Sequence, residues 1–183
     1  MVVKLKNVRI AFSQNLFKAG SKTAGDKPKF SATFIIPGDS PQIAQIKKTI
    51  DEVAREKWQG KTEVIMKSLK AAGDKICLRD GDTKAQYEGF EGNMFITASN
   101  AAAPLVIDKD RSPLTEASGK PYAGCYVNAN IDIWAMDNNY GKRVCATLKG
   151  VQFLRDGDAF VGSAPASEDD FEDLSDTGDD DLV

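Results

Sequence analysis

Histidine is absent from this 183-residue chain. That absence removes the usual general base near neutral pH, every Ser-His or Cys-His nucleophile pair and any zinc site built on imidazole. Most hydrolase mechanisms are thereby disfavoured, and a non-enzymatic role is expected. Phosphate-loop and dinucleotide fingerprints are missing too, so no cofactor is expected. No apolar run reaches the ~18 residues that a membrane span needs. The opening Met1-Val2-Val3-Lys4-Leu5-Lys6 alternates where a signal peptide would be continuously apolar. A cytoplasmic chain with no membrane partner is the expectation. Cysteine is scarce: Cys77, Cys125 and Cys145 are odd in number, lack C-x-x-C spacing and sit in apolar contexts, which is the pattern of buried free thiols.

Basic residues are lacking in one region only. Residues 1–167 hold all 24 Lys and Arg against 18 acids, a net +6, whereas residues 168–183 hold nine acids and no base, a net −9. Those acids repel one another, and the few apolar groups among them cannot offset the entropy of ordering the backbone. The reading is one domain over residues 1–162 and a disordered acidic tail over 163–183. Phe171 and Leu174 lie inside the acid run, and Asp179-Asp180-Asp181-Leu182-Val183 sets an apolar tip behind three carboxylates. Such a segment can dock on a partner's basic-rimmed pocket, or occupy its own body's cationic groove. The plainer alternative is a tail that serves solubility alone.

Within the body, Val3-Leu5 and then Val8-Ile10-Phe12 alternate with Lys4, Lys6 and Arg9, which predicts a half-buried strand with a phase slip near Asn7. Residues 17–29 mix Lys18, Lys22, Lys27 and Lys29 with glycine, serine and proline, a flexible cationic loop leading into a strand over Phe30–Ile36. Ser40-Pro41 signals a helix start, and Ile43, Ile46, Ile50, Val53 and Ala54 recur at helical spacing as far as Trp58. A second helix is expected from about Thr62 to Ala71, stopped by Gly73. Short strands follow over 75–79, 94–99, 105–107, 125–136 and 143–154, with Asp137-Asn138-Asn139-Tyr140-Gly141 as a tight hairpin between the last two. The fold class is therefore mainly β with inserted helices, arranged as a small barrel.

The strand from Tyr126 to Trp134 carries the chemistry. Its alternation sorts Tyr126, Asn128, Asn130, Asp132 and Trp134 to one face and Val127, Ala129, Ile131 and Ile133 to the other. Aromatics separated by amides offer stacking surfaces and hydrogen-bond groups to unpaired bases, at ~1–3 kcal/mol per stacked base. Tyr140 with Lys142 and Arg143, and Phe17 with Lys18, Lys22, Lys27 and Lys29, form two further aromatic-and-cation clusters. Together these residues are the candidate lining of a groove for single-stranded DNA. The bland alternative is that Tyr126 and Trp134 only cover the edge of the core. An enzyme would have to use carboxylates: Asp80 with Asp82 and Asp108 with Asp110 could hold Mg²⁺ in a nuclease, although both pairs sit in turn-forming contexts. No metal site is expected.

Several segments carry a family likeness. Gly92-Asn93-Met94-Phe95-Ile96-Thr97-Ala98, Pro104-Leu105-Val106-Ile107-Asp108, Pro121-Tyr122-Ala123-Gly124-Cys125-Tyr126-Val127-Asn128-Ala129 and Leu148-Lys149-Gly150-Val151-Gln152 resemble a bacteriophage family first catalogued as a domain of unknown function. Phage single-stranded DNA-binding proteins with an OB-fold represent it, akin to the replication SSBs of lytic phages. The resemblance implies an OB-fold-like barrel that coats DNA in phage replication, recombination or repair, in the host cytoplasm. It also implies a tail that meets DNA polymerase, helicase or recombination proteins, and by analogy a homodimer. Related tails often finish on phenylalanine, whereas this sequence finishes Leu182-Val183.

Overall fold

The computed structural model describes residues 1–21 and 23–160. Lys22 and the acidic tail, with its expected boundary after residue 162 and the candidates Phe171, Leu174, Asp179, Asp180, Asp181, Leu182 and Val183, lie outside the described residues.

Strand β1 (Val2–Ala11) buries Val3, Leu5, Val8 and Ile10. The expected phase slip is a bulge: the register shifts between Leu5 and Val8, and Asn7 adopts φ 53°. Side chains satisfy the backbone that the bulge frees. Lys6 N–H donates to Gln42 Oε1 at 2.7 Å, Gln42 Nε2 returns a bond to Lys6 O at 2.9 Å, and Asn7 N–H donates to Asn128 Oδ1 at 3.0 Å.

Strand β2 (Phe30–Ile36) leads into helix α1 (Gln42–Trp58) and helix α2 (Thr62–Ala72). Helix α1 starts one residue later than Ser40-Pro41 signals, with Pro41 at the N-cap and no side-chain cap bond; Ser40 Oγ, just before it, accepts the Gln42 N–H at 3.2 Å. Ile46, Ile50, Val53, Ala54 and Trp58 bury the stripe that packs on the barrel, chiefly on β6 (Tyr126–Asn138). Gly73, at φ 79°, ends α2 in the left-handed conformation that glycine adopts without a Cβ penalty. Trp58 Nε1–H is held by Asp137 Oδ2 at 3.0 Å, so the indole is a structural strut.

The remaining strands are β3 (Leu78–Asp80), β4 (Met94–Asn100), β5 (Leu105–Ile107) and β7 (Gly141–Arg155). The sheet runs β3-β4-β2-β1-β6-β7-β5, and an additional parallel pairing of β4 with β7 closes β1, β2, β4, β7 and β6 into an OB-type barrel. That seam is short: Ser99 pairs with Thr147, and Asn100 Nδ2 donates to Leu148 O at 2.9 Å. Val144 further along β7 is bridged by Ile76.

Inside the barrel lie Leu5, Ile10, Phe34, Ile36, Ile96, Ile131, Ile133 and Leu148, each essentially without solvent contact. A second, smaller cluster sits outside it, where Ala11, Ile35, Phe90, Phe95, Ala123 and Phe160 pack under the 81–93 loop. The Tyr122-to-Tyr126 segment, the most specific part of the family likeness, is the cradle for the chain leading to Phe160. Gly124 takes φ 107°, and a Cβ there would stand 2.2 Å from Asp158 O, so only glycine fits. Tyr122 Oη donates to Asp156 Oδ1 at 2.8 Å, and Arg9 donates to Gly124 O and Asp158 O at 3.0 and 2.6 Å.

Candidate nucleic-acid interface

The outer faces of β2, β4 and β7 form the floor of a groove. Ser31 lies opposite Ser99 and Thr33 opposite Thr97, with the two threonine hydroxyls 3.0 Å apart. Alternation forces this placement: Ala32, Phe34, Ile96 and Ala98 fill the barrel, so the hydroxyl residues between them face out. Arg143, Cys145 and Ala146 of β7 line the same groove.

One end of the groove is cationic. Lys27 and Lys29 of the β1–β2 loop, Tyr140 at the hairpin tip and Arg143 surround a single recess over Ser31, Thr97 and Ser99. The loop is less free than its composition suggests, because Gly20 and Lys29 exchange backbone hydrogen bonds at 3.0 and 2.9 Å. A Cβ on Gly20 would stand 2.5 Å from Asn15 Oδ1, so a larger residue there would require the Asn15 side chain to swing aside. Tyr140 is 94 % exposed, which leaves both faces of its ring open.

The other end is aromatic, and here sequence reasoning missed the residues. Phe12 meets Tyr87 edge to face with centroids 5.1 Å apart, and Phe90 stands 5.8 Å from Phe12 and 5.2 Å from Phe95. Lys84 Nζ lies 5.6 Å from the Phe12 and Phe95 rings, and the Arg79 guanidinium lies 5.2 Å from Phe95. Phe12, Tyr87, Arg79 and Lys84 all line the groove. Arg79 Nε–H is buried with no acceptor among the described residues. The one available signal was an aromatic pair, Tyr87 and Phe90, among the turn-forming residues of 80–93.

Several candidates sit elsewhere. Phe17 is half-buried against the main core, so its ring is not presented, and Lys18 is exposed but lines neither end of the groove. Lys142 pairs with Asp137 at 3.7 Å and turns toward α2, since alternation sends it to the opposite side from Arg143. The β6 face divides. Trp134, 41 % exposed, donates Nε1–H to Thr147 Oγ1 at 3.0 Å and so adjoins the groove across β7. Tyr126 is roughly 26 Å away at ~3.3 Å per residue. Its ring is covered by the Arg155 guanidinium at 3.6 Å, with Arg9 at 5.6 Å. Asn128 is engaged with Asn7 and with Gln152 Oε1, while Asn130 is exposed between Lys4 and Gly150.

The carboxylates considered for Mg²⁺ serve turns. Asp80 Oδ1 accepts the Asp82 N–H, Asp82 Oδ1 accepts the Gly92 N–H, Asp108 pairs with Lys120 at 2.9 Å, and Asp110 Oδ1 accepts from Ser112. The Lys120 ammonium holds the Asp108 carboxyl below the usual range, and the Ser112 bonds do the same for Asp110. Among the described residues no group of three or more His, Cys, Asp or Glu is placed to hold a metal, and no helix is long and apolar enough to cross a membrane. All three cysteines are free, as expected; Cys125 is buried, but Cys77 and Cys145 are only half-buried and line the groove. Burial pushes the Cys77 thiol up to about 12 and Cys125 to about 11.

The groove's setting can be compared with known proteins. A family model described as "Enterobacter phage Enc34, ssDNA-binding protein" matches residues 1–183. Putative protein p50 of Acyrthosiphon pisum secondary endosymbiont phage 1 is 48 % identical over 177 residues, 96 % of this chain and 95 % of that protein. The fold is similar to that of the single-stranded DNA-binding protein from bacteriophage Enc34 in complex with ssDNA, with a TM-score of 0.73 and 28 % identity over 86 % of this chain and 88 % of that one. gp2.5, a single-stranded DNA-binding protein encoded by bacteriophage T7, shares the architecture alone, with a TM-score of 0.58 at 12 % identity over 93 % of this chain and 92 % of that one. This chain belongs to the Enterobacter phage Enc34 ssDNA-binding protein family.

Proposed function

We propose that this chain binds single-stranded DNA without sequence preference and without catalysis, coating it during phage replication, recombination or repair. The strand lies over the hydroxyl floor of β2 and β4, from the Phe12–Tyr87 end to the Lys27–Lys29–Arg143 end. The observation that carries this reading is the pairing of those two ends on one barrel face, under the β1–β2 loop and the β6–β7 hairpin. Rings stack on bases whatever their identity, lysines and arginines meet phosphates, and serine and threonine hydroxyls bond either edge. Duplex DNA hides its base faces and gains only the phosphate contacts.

The tail competes for the same groove. Phe160 packs beside Phe12 and Phe90, so the segment that follows starts at the aromatic end, and its nine acids complement the basic lining. Displaced by DNA, the tail is freed to meet polymerase, helicase or recombination proteins. The test is a salt series of ssDNA and dsDNA binding on the full chain and on a version ending at Ser167. The expected result is ssDNA binding that weakens steeply with salt and tightens on shortening. Salt-insensitive or absent binding by the shortened chain at low ionic strength overturns the reading.

A further inference from the structure

The surface holds an apolar notch that DNA binding does not use. Val64, Ile65, Leu69 and Ala72 of α2 line it, and Lys75 and Lys142 stand at its rim. Val64 is 77 % exposed on a helix whose Met66 and Leu69 are buried, so its aliphatic face is turned outward without cover among the described residues. An aliphatic floor with ammonium groups at its edge fits a short apolar segment flanked by carboxylates. The tail ends on an aliphatic segment of this kind, Asp179-Asp180-Asp181-Leu182-Val183.

We propose that this segment of the chain's own tail latches into the α2 notch when DNA is absent, with Leu182 and Val183 against Val64 and Leu69 and the three aspartates facing Lys75 and Lys142. The proposal rests on the reading of the groove given above and adds the place where the competing tail is held. Continuity of the surface supports it. The recess beside Phe160 shares Phe12 and Tyr87 with the groove, and the groove shares Lys75 with the notch. Reach supports it too. Residues 161–183 number 23 and extend to about 75 Å, whereas a body of this size is roughly 40 Å across. The acids of 168–176 can then reach Arg79, Lys29 and Arg143, and the tip can reach the notch, whose aliphatic floor and two ammonium groups match its Leu-Val end and its aspartates. Lys142 faces Asp137 at 3.7 Å, a separation long enough for its ammonium to turn to a second carboxylate.

The test is amide hydrogen exchange of α2 in the full chain, in a version ending at Ser167, in Leu182→Asp/Val183→Asp and in Val64→Glu. The tail variant cannot unfold the body, and position 64 is exposed. Amides of 64–72 are expected to exchange about threefold to tenfold more slowly in the full chain than in the shortened one, given the millimolar effective concentration of a tethered segment. Both variants, and saturating oligo-dT, should abolish that slowing. Equal exchange in full and shortened chains overturns the latch. So does slowing that grows with protein concentration, which would assign the notch to a second copy's tail. A shortened chain that fails to bind oligo-dT sinks the groove reading instead, and leaves the exchange result to be judged by itself.

Discussion

Trp134 Nε1–H is bonded to Thr147 Oγ1 at 3.0 Å, and Thr147 is the residue through which β7 meets Ser99 of β4. The indole is thereby tied to the groove floor, while Trp58 is 7 % exposed and fixed by Asp137. Titration with oligo-dT should quench tryptophan emission through Trp134 alone. Trp58→Phe should keep the quench, as a larger fraction of the remaining emission, and Trp134→Phe should lose it; a quench that survives in Trp134→Phe contradicts the placement.

The two ends of the groove should separate in a salt analysis. Lys29→Ala and Arg143→Ala should each reduce the slope of log affinity against log salt by about 0.7, the value for one single-strand phosphate contact. Tyr140→Ala should cost ~1–3 kcal/mol of affinity and leave the slope unchanged, because stacking releases no counterion. Lys142→Ala, facing α2, should change neither when compared in the version ending at Ser167, where no tail competes. Fluorescence anisotropy at four or five salt concentrations is sufficient to tell these apart.

At the aromatic end the same substitution should have different effects at neighbouring rings. Tyr87, 44 % exposed, should weaken ssDNA binding by ~1–3 kcal/mol when replaced by alanine, with little change in stability. Phe90, 1 % exposed, should cost about 3–5 kcal/mol of folding stability on the same change. Urea unfolding and DNA titration of both variants check the contrast.

Stability should decline at alkaline pH through the thiols. Cys77 is raised from 9.0 to about 12 and Cys125 to about 11 in the folded chain, so the unfolded chain gives up these protons first. Their contribution is complete below about pH 9 and is lost as pH rises toward the folded values. Unfolding midpoints measured from pH 7 to 10.5 should fall less for Cys77→Ala than for the unaltered chain. Parallel curves would remove the thiol from the account.

Much of the architecture was legible because its signals are periodic. The alternation of 126–134 correctly separates Val127, Ala129, Ile131 and Ile133 from the polar face, and Asn7 marks the bulge because two polar residues interrupt an otherwise strict period. The site was only half legible. Periodicity states which face a residue takes but not how far along the strand the face stays one surface, so it groups Tyr126 with Trp134 although Arg155 and Arg9 occupy the first. Composition marked the 17–29 loop as cationic, yet gave no sign that Phe17 turns inward. The aromatic end depends on Phe12 at φ 50° turning out of β1 toward Tyr87, 75 residues on, which is a tertiary event with no local trace.

The short seam between β4 and β7 lies beside the proposed DNA surface. The barrel shuts through the Ser99–Thr147 bridge and the Asn100 side-chain bond to Leu148 O, and Ser99 also forms part of the surface on which the DNA is proposed to lie. A bound strand would act as a suture, gripping β2 and β4 on one side and β7 on the other. Ligand that binds only the shut barrel stabilises it by about 2.7 kcal/mol at a hundredfold excess over its dissociation constant. The melting temperature would then track the supply of exposed DNA, and a molecule left idle would be the one most readily opened at its join.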